Sequence, residues 1–152
     1  MSDVKIFKYK TNLARKMSAP GGVTIDAALA AADGAVEGHR EAAMQALDRT
    51  LTELEAACAA RTAEPIYDQA ASLLDMAGFF DTGPFHQAVF SLCEVSDRMA
   101  GAWDWPSVEV HVRALRLILR EDCRESANSI VLLEGLAAIR RRALGAVTDA
   151  TT

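Results

Sequence analysis

The sequence predicts an all-α fold, an up-and-down antiparallel helical bundle behind an extended N-terminal leader. Three observations predict it. Apolar residues recur at helical spacings of three, four and seven from Thr24 onward, and no strand-and-helix alternation or internal repeat interrupts them. The apolar fraction is 51% with only 6% aromatic, and alanine and leucine supply most of it, which favours closely packed helices. Pro65, Pro84 and Pro106 each stand where a proline opens a helix. The short connections between such helices force neighbours to run antiparallel.

The first twenty residues differ from the rest. Lys5, Lys8, Lys10, Arg15 and Lys16 face Asp3 alone, a balance of +4 against −9 for the remaining chain. Pro20-Gly21-Gly22 then breaks the chain before a helix begins. Residues 1–22 are expected to form an extended basic leader, either solvated or lying on this domain or on an acidic partner as an added strand. The bundle is expected over residues 23–146 and a disordered tail over 147–152.

Thr24 caps the first bundle element, with Asp26 in its first turn. Ile25, Leu29, Val36, Met44, Leu47, Leu51 and Leu54 form one apolar stripe, expected on either one long helix or two helices hinged near Gly34–Gly38, with a long element bent at Gly34 or Gly38 preferred. The next helix starts at Pro65, carries Ile66, Ala70, Leu73, Leu74 and Ala77, and stops near Gly78. A following helix is expected over about Pro84–Ala100, and another over about Pro106–Glu121 with Val108, Val112, Leu115 and Leu119 on one face. Ser126 or Asn128 caps the last helix, which runs to about Leu144.

Composition excludes several function classes. Net charge is −5, which argues against nucleic acid as a general partner. No apolar run approaches the roughly 20 residues of a membrane span. Cys58, Cys93 and Cys123 are odd in number and far apart. They suit small buried residues in a reducing cytoplasm better than a disulfide framework. No histidine pair falls at i, i+4 and no Cys-x-x-Cys occurs, so neither a metal nor another cofactor is expected. Gly-rich phosphate loops and the Gly-x-Ser-x-Gly turn are missing, and Glu53 and Glu55 point to different helix faces. Glu121 and Asp122 read as solvated charges. Arg140-Arg141-Arg142 reads as helix C-terminal charge, or as an anion contact. Trp103 and Trp105 are expected to close one end of the core. The chain is not expected to be an enzyme.

Ala70–Asp81 reads Ala-Ala-Ser-Leu-Leu-Asp-Met-Ala-Gly-Phe-Phe-Asp. This run resembles the signature helix of histidine phosphotransfer (HPt) domains. Ala70, Leu73, Ala77, Gly78 and Phe80 fall on that pattern, and Phe85, Ala88 and Leu92 supply the facing residues of the next helix. The leader Val4–Lys16 with Gly21-Gly22, Ser91-Leu92-Cys93, Val110–Arg116 and Leu133–Leu136 are similar to segments of alphaproteobacterial HPt-like proteins encoded with chemotaxis components. The resemblance implies an HPt-like core and a place in two-component signalling. It puts Ala71 in the slot of the phosphorylated histidine, Leu74 in that of the cation beside it, and Asp75 in that of a small residue. Phosphate transfer at that slot is then impossible. The implied role is non-catalytic binding of a response-regulator receiver domain or a chemotaxis histidine kinase. Ala71, Leu74, Asp75 and Gly78 would line the contact, supported by Phe79 and Phe80.

Two alternatives stand beside that reading. A displaced histidine would serve as phosphosite, and His39 is the best of the three because Ala42 and Ala43 follow it at the third and fourth positions. His86 and His111 are expected to be surface or semi-buried, hydrogen-bonded histidines. The other alternative is self-association of apolar faces into a homodimer.

Overall fold

The computed structural model describes residues 12–146 apart from residues 18, 81, 100 and 101. The described residues form seven helices and no strand. The chain divides into two units, Met1–His39 and Arg40–Thr152.

The first unit holds α1 (Asn12–Met17) and α2 (Ile25–Gly38). The leader is therefore helical over Asn12–Met17 rather than extended; residues 1–11, like the tail 147–152, lie outside the described residues. Gly21 turns the chain at φ +91°, a conformation open to glycine. Thr24 caps α2 as expected, its Oγ1 accepting from the Ala27 amide at 3.2 Å. The preferred long bent helix is not formed; the alternative of two helices breaking near Gly38 is. Its first segment ends at Gly38, and the His39 amide closes it on the Val36 carbonyl at 3.0 Å. The apolar stripe divides at the same place. Ile25, Leu29 and Val36 are exposed, whereas Leu47, Leu51 and Leu54 are fully buried.

The second unit is built from α3 (Arg40–Ala60), α4 (Glu64–Gly78), α5 (Gly83–Arg98), α6 (Trp105–Arg120) and α7 (Ala127–Ala146). Helices α3 to α6 close a ring, because α3 packs on α4, α4 on α5, α5 on α6 and α6 back on α3. Helix α7 lies against α5 and α6. The expected prolines open α4, α5 and α6 within their first two positions. Ser126 caps α7, accepting from the Ser129 amide at 3.1 Å while Ser129 Oγ accepts from the Ser126 amide at 2.8 Å.

The core is aliphatic. Ile66, Ala70, Leu73 and Ala77 of α4 meet Phe85, Ala88 and Leu92 of α5, all essentially without exposed surface. Val108, Val112, Leu115 and Leu119 line the buried face of α6. Trp103 and Trp105 stack with ring centroids 5.3 Å apart and pack on the core edge between α5 and α6.

Two helix ends depart from the sequence signals. Neither α3 nor α6 is followed by glycine, yet both close with paired backbone bonds around a left-handed residue. Thr62 N–H reaches Ala57 O at 3.0 Å and Arg61 N–H reaches Cys58 O at 3.1 Å, with Arg61 at φ 52°. Cys123 N–H reaches Ile118 O at 3.0 Å and Asp122 N–H reaches Leu119 O at 3.1 Å, with Asp122 at φ 54°.

Candidate partner-binding face on α4

Core residues of α4 occupy one side of the helix, and Ala71, Leu74, Asp75 and Gly78 occupy another. Their spacing of i, i+3, i+4 and i+7 places them on one stripe. Ala71 and Leu74 are half-buried, with Leu74 resting on the core edge, while Asp75 and Gly78 are exposed. A Cβ added at Gly78 would meet nothing within 4 Å. Within the second unit α4 packs on α3 and α5 alone, so neither α6 nor α7 covers the stripe. Phe79, 80% exposed, stands at its C-terminal end, and half-buried Phe80 follows. The four expected residues are thus brought together, as an open, mostly apolar ridge carrying one carboxylate.

The turn after the ridge is held by Thr82. Its hydroxyl, fully buried, donates to the Ala77 carbonyl at 2.8 Å. Its own carbonyl accepts the Phe85 amide at 2.7 Å and the His86 amide at 3.4 Å. One residue therefore satisfies an orphan acceptor at the end of α4 and orphan donors at the start of α5. Across the α4–α5 seam, burial pushes the Cys93 thiol up to about 11, and the nearby Asp75 carboxylate pushes the same way. Cys93 stays a thiol at neutral pH, a poor nucleophile.

None of the three imidazoles belongs to this ridge. His39 sits at the end of α2, at a break rather than at mid-helix. His86 lines a groove between α5 and α7. His111 is fully buried. Its Nδ1 lies 2.7 Å from the Ser107 carbonyl and must donate to it. That leaves Nε2 as the acceptor for the Ser91 hydroxyl at 3.0 Å. Burial pulls its pKa below the ordinary imidazole value.

Three polar constellations escaped sequence reasoning. Arg116 of α6 grips Glu55 through two parallel bonds, Nε to Oε1 at 2.8 Å and Nη2 to Oε2 at 2.7 Å. The same guanidinium also pairs with Asp48 and donates to Thr52 Oγ1 at 3.0 Å, tying α6 to α3. Glu121 is not simply solvated. It accepts from Ser126 Oγ at 2.6 Å and Asn128 Nδ2 at 3.0 Å, which holds its carboxyl below the usual range. Arg140 is not a helix-end charge either, since α7 continues to Ala146 and Arg140 Nη1 reaches Glu94 of α5 at 2.7 Å. The Arg116 and Arg140 pairings join residues tens of positions apart, and those of Glu121 span the turn between α6 and α7; helical periodicity registers neither.

No group of His, Cys, Asp and Glu suited to a metal ion occurs among the described residues. Cys58, Cys93 and Cys123 are free. No described helix is long and apolar enough to cross a membrane. No family model, no curated protein and no solved structure matches the chain.

Proposed function

We propose that this chain is a non-catalytic HPt-like signalling module of bacterial chemotaxis, of the kind represented by CheE. It binds a response-regulator receiver domain or a chemotaxis histidine kinase as adaptor or competitor, without carrying phosphate. One observation supports this reading above the others. Ala71, Leu74, Asp75 and Gly78 form an uncovered ridge on α4, with Ala71 in the slot where the resembled family carries its histidine. A side chain ending at Cβ has no atom to phosphorylate, yet the small and apolar surroundings that admit a docking helix remain. Asp75 disfavours a bare aspartyl phosphate by like-charge repulsion, so the unphosphorylated receiver is the preferred partner.

The test is a titration of the purified protein against the chemotaxis receiver domains of its own organism, with and without an acyl-phosphate mimic. Binding of one receiver is expected, weakened by the mimic. Leu74→Arg should weaken it about tenfold or more, because residues at an interface centre commonly cost over 1 kcal/mol. Asp75→Arg, at an exposed position, serves as the second variant without touching the core. Unchanged affinity in both folded variants would place any binding on another surface. Acid-labile phosphate on the protein after incubation with active kinase would overturn the non-catalytic reading.

A further inference from the structure

Charge is spread unevenly over the second unit. Residues 62–97 hold Glu64, Asp68, Asp75, Asp81, Glu94 and Asp97 and no lysine or arginine. Several carboxylates of this unit are matched: Glu55 and Asp48 meet Arg116, Glu94 meets Arg140, and Glu109 meets Arg113. Glu64, Asp68 and Asp75 are exposed on α4 and make no ion pair or hydrogen bond among the described residues.

These three lie at i, i+4 and i+11, which on an α-helix is one line about 16 Å long. It runs on the side of α4 away from buried Ile66, Ala70, Leu73 and Ala77. The helix itself gains little from it. Glu64 suits the N-terminal dipole, but Asp68 follows it one turn later as a like charge. Asp75 falls in the last turn, where the dipole disfavours an anion. Beside this line runs an apolar edge of Tyr67, Ala71 and Leu74, and Phe79 closes its end. Tyr67 is 47% exposed and Phe79 80%. Exposed aromatic rings are the common anchors of protein interfaces.

We propose that the α4 face takes a cationic amphipathic helix of a partner protein, with lysine or arginine on Glu64, Asp68 and Asp75 and apolar residues on Tyr67, Leu74 and Phe79. A helix laid along α4 repeats its spacing, so cations at i, i+4 and i+11 meet all three carboxylates. A small cation would meet one or two of them and none of the apolar edge. Nucleic acid and anionic lipid are repelled by the same charges. This inference rests on the α4 face being the partner-binding one, and it adds the charge of what docks there.

The probe is a synthetic helical peptide with lysines at i, i+4 and i+11 and leucines on the adjoining line. Its counterpart carries glutamates in place of the lysines. Each is titrated by NMR into the full-length labelled protein at low salt. The lysine peptide should saturate below about 1 mM, with shifts centred on residues 64–79. The glutamate peptide should bind about tenfold more weakly, the combined worth of three exposed ion pairs, and added salt should shrink the difference. Asp68→Lys with Asp75→Lys should invert the preference. Glu125→Lys with Glu134→Lys, at exposed positions away from α4, changes net charge equally and should leave it intact. Asp68→Asn with Asp75→Asn should weaken the lysine peptide several-fold and decides the matter if the lysine variant does not fold. Equal affinity for the two peptides, shifts centred off α4, or inversion by the control variant would each overturn the proposal. So would a dimer in sedimentation that the α4 charge reversal dissolves, since a second copy would then be the occupant. The two readings fail separately. A lysine peptide bound on α4 with no receiver bound sinks the chemotaxis assignment alone. A receiver bound equally before and after charge reversal sinks the cationic helix alone.

Discussion

Acidification should destabilise the second unit through His111. The imidazole has no exposed surface and both nitrogens are committed, Nδ1–H to Ser107 O at 2.7 Å and the Nε2 lone pair to the Ser91 hydroxyl at 3.0 Å. Protonation at Nε2 would bring a charge into an apolar core and set a second donor against the Ser91 proton. Burial accordingly holds the folded pKa below the ordinary value of 6.5, with the Ser107 bond opposing in part. The unfolded chain takes up the proton first. The contribution to stability is therefore complete above pH 6.5 and is lost as pH falls from there toward the folded pKa. The slope in that window approaches about 1.4 kcal/mol per pH unit. Going from about pH 7.5 to about pH 5.5 should thus remove stability on the order of 1 kcal/mol.

Urea unfolding followed by far-UV circular dichroism at a series of pH values measures this directly. His111→Gln is the comparison, because an amide retains one donor and one acceptor and does not titrate. Wild type should show the loss between pH 7.5 and 5.5, whereas the glutamine variant should be flatter by about 1 kcal/mol over the same interval. Glu121, whose pKa is lowered, acts only below the ordinary carboxylate range and so outside this window. Equal slopes in the two proteins would refute the assignment of the buried neutral ring.

Three further outcomes are expected. Thr82→Val removes the hydroxyl that donates to the Ala77 carbonyl and should cost about 1–2 kcal/mol in chemical unfolding, with Thr82→Ser recovering part; a neutral valine variant would show that water replaces the bond. Arg61→Gly should raise stability by about 1 kcal/mol, since Arg61 sits at φ 52° where an L side chain is disfavoured, and a decrease would mean that its side chain offsets the backbone cost. Arg116→Met with Glu55→Gln, taken as a double-mutant cycle, should give a coupling of about 1 kcal/mol that shrinks with added salt, because Arg116 is mostly covered while Glu55 is about one third exposed; zero coupling would reduce the pair to a surface contact.

Much of the fold was legible because its signals are local. Proline at a helix start, and aliphatic residues at i, i+3, i+4 and i+7, located α4, α5 and α6 to within two residues at most termini. The same local logic failed where the stripe from Ile25 to Leu54 was counted through His39. A helix ends there, so a period measured across it has no structural meaning. Arg61 and Asp122 were silent as helix ends because neither is glycine, the residue that normally marks a left-handed closure. His111 did carry a signal. It lies three residues after Val108 and four before Leu115, within the buried stripe of α6, and its burial follows from that position. Its partner Ser91 lies on another helix, where no periodicity points.

The candidate ridge was legible for a different reason, and the reason bears on what a resemblance of this kind can carry. Ile66, Ala70, Leu73 and Ala77 keep α4 in the bundle. Ala71, Leu74, Asp75 and Gly78 interleave with them but share a different face, where neighbouring helices impose little. The two sets answer to different pressures. Replacing a core leucine by alanine costs about 2–5 kcal/mol, whereas a change at an exposed position is usually within about 0.5 kcal/mol. In the proposed reading, exchanging a histidine for alanine at half-buried Ala71 costs the fold less than a core exchange, so the helix keeps the packing half of a signature without its chemical half. Ala71→His tests this separation: the variant should fold with nearly unchanged stability. It should not gain efficient phosphate uptake from an active kinase, since Leu74 and Asp75 supply no cation for the phosphate. A variant phosphorylated as readily as a working phosphotransfer protein would show that the histidine alone was missing. A variant that unfolds would show that the two faces of α4 are not independent.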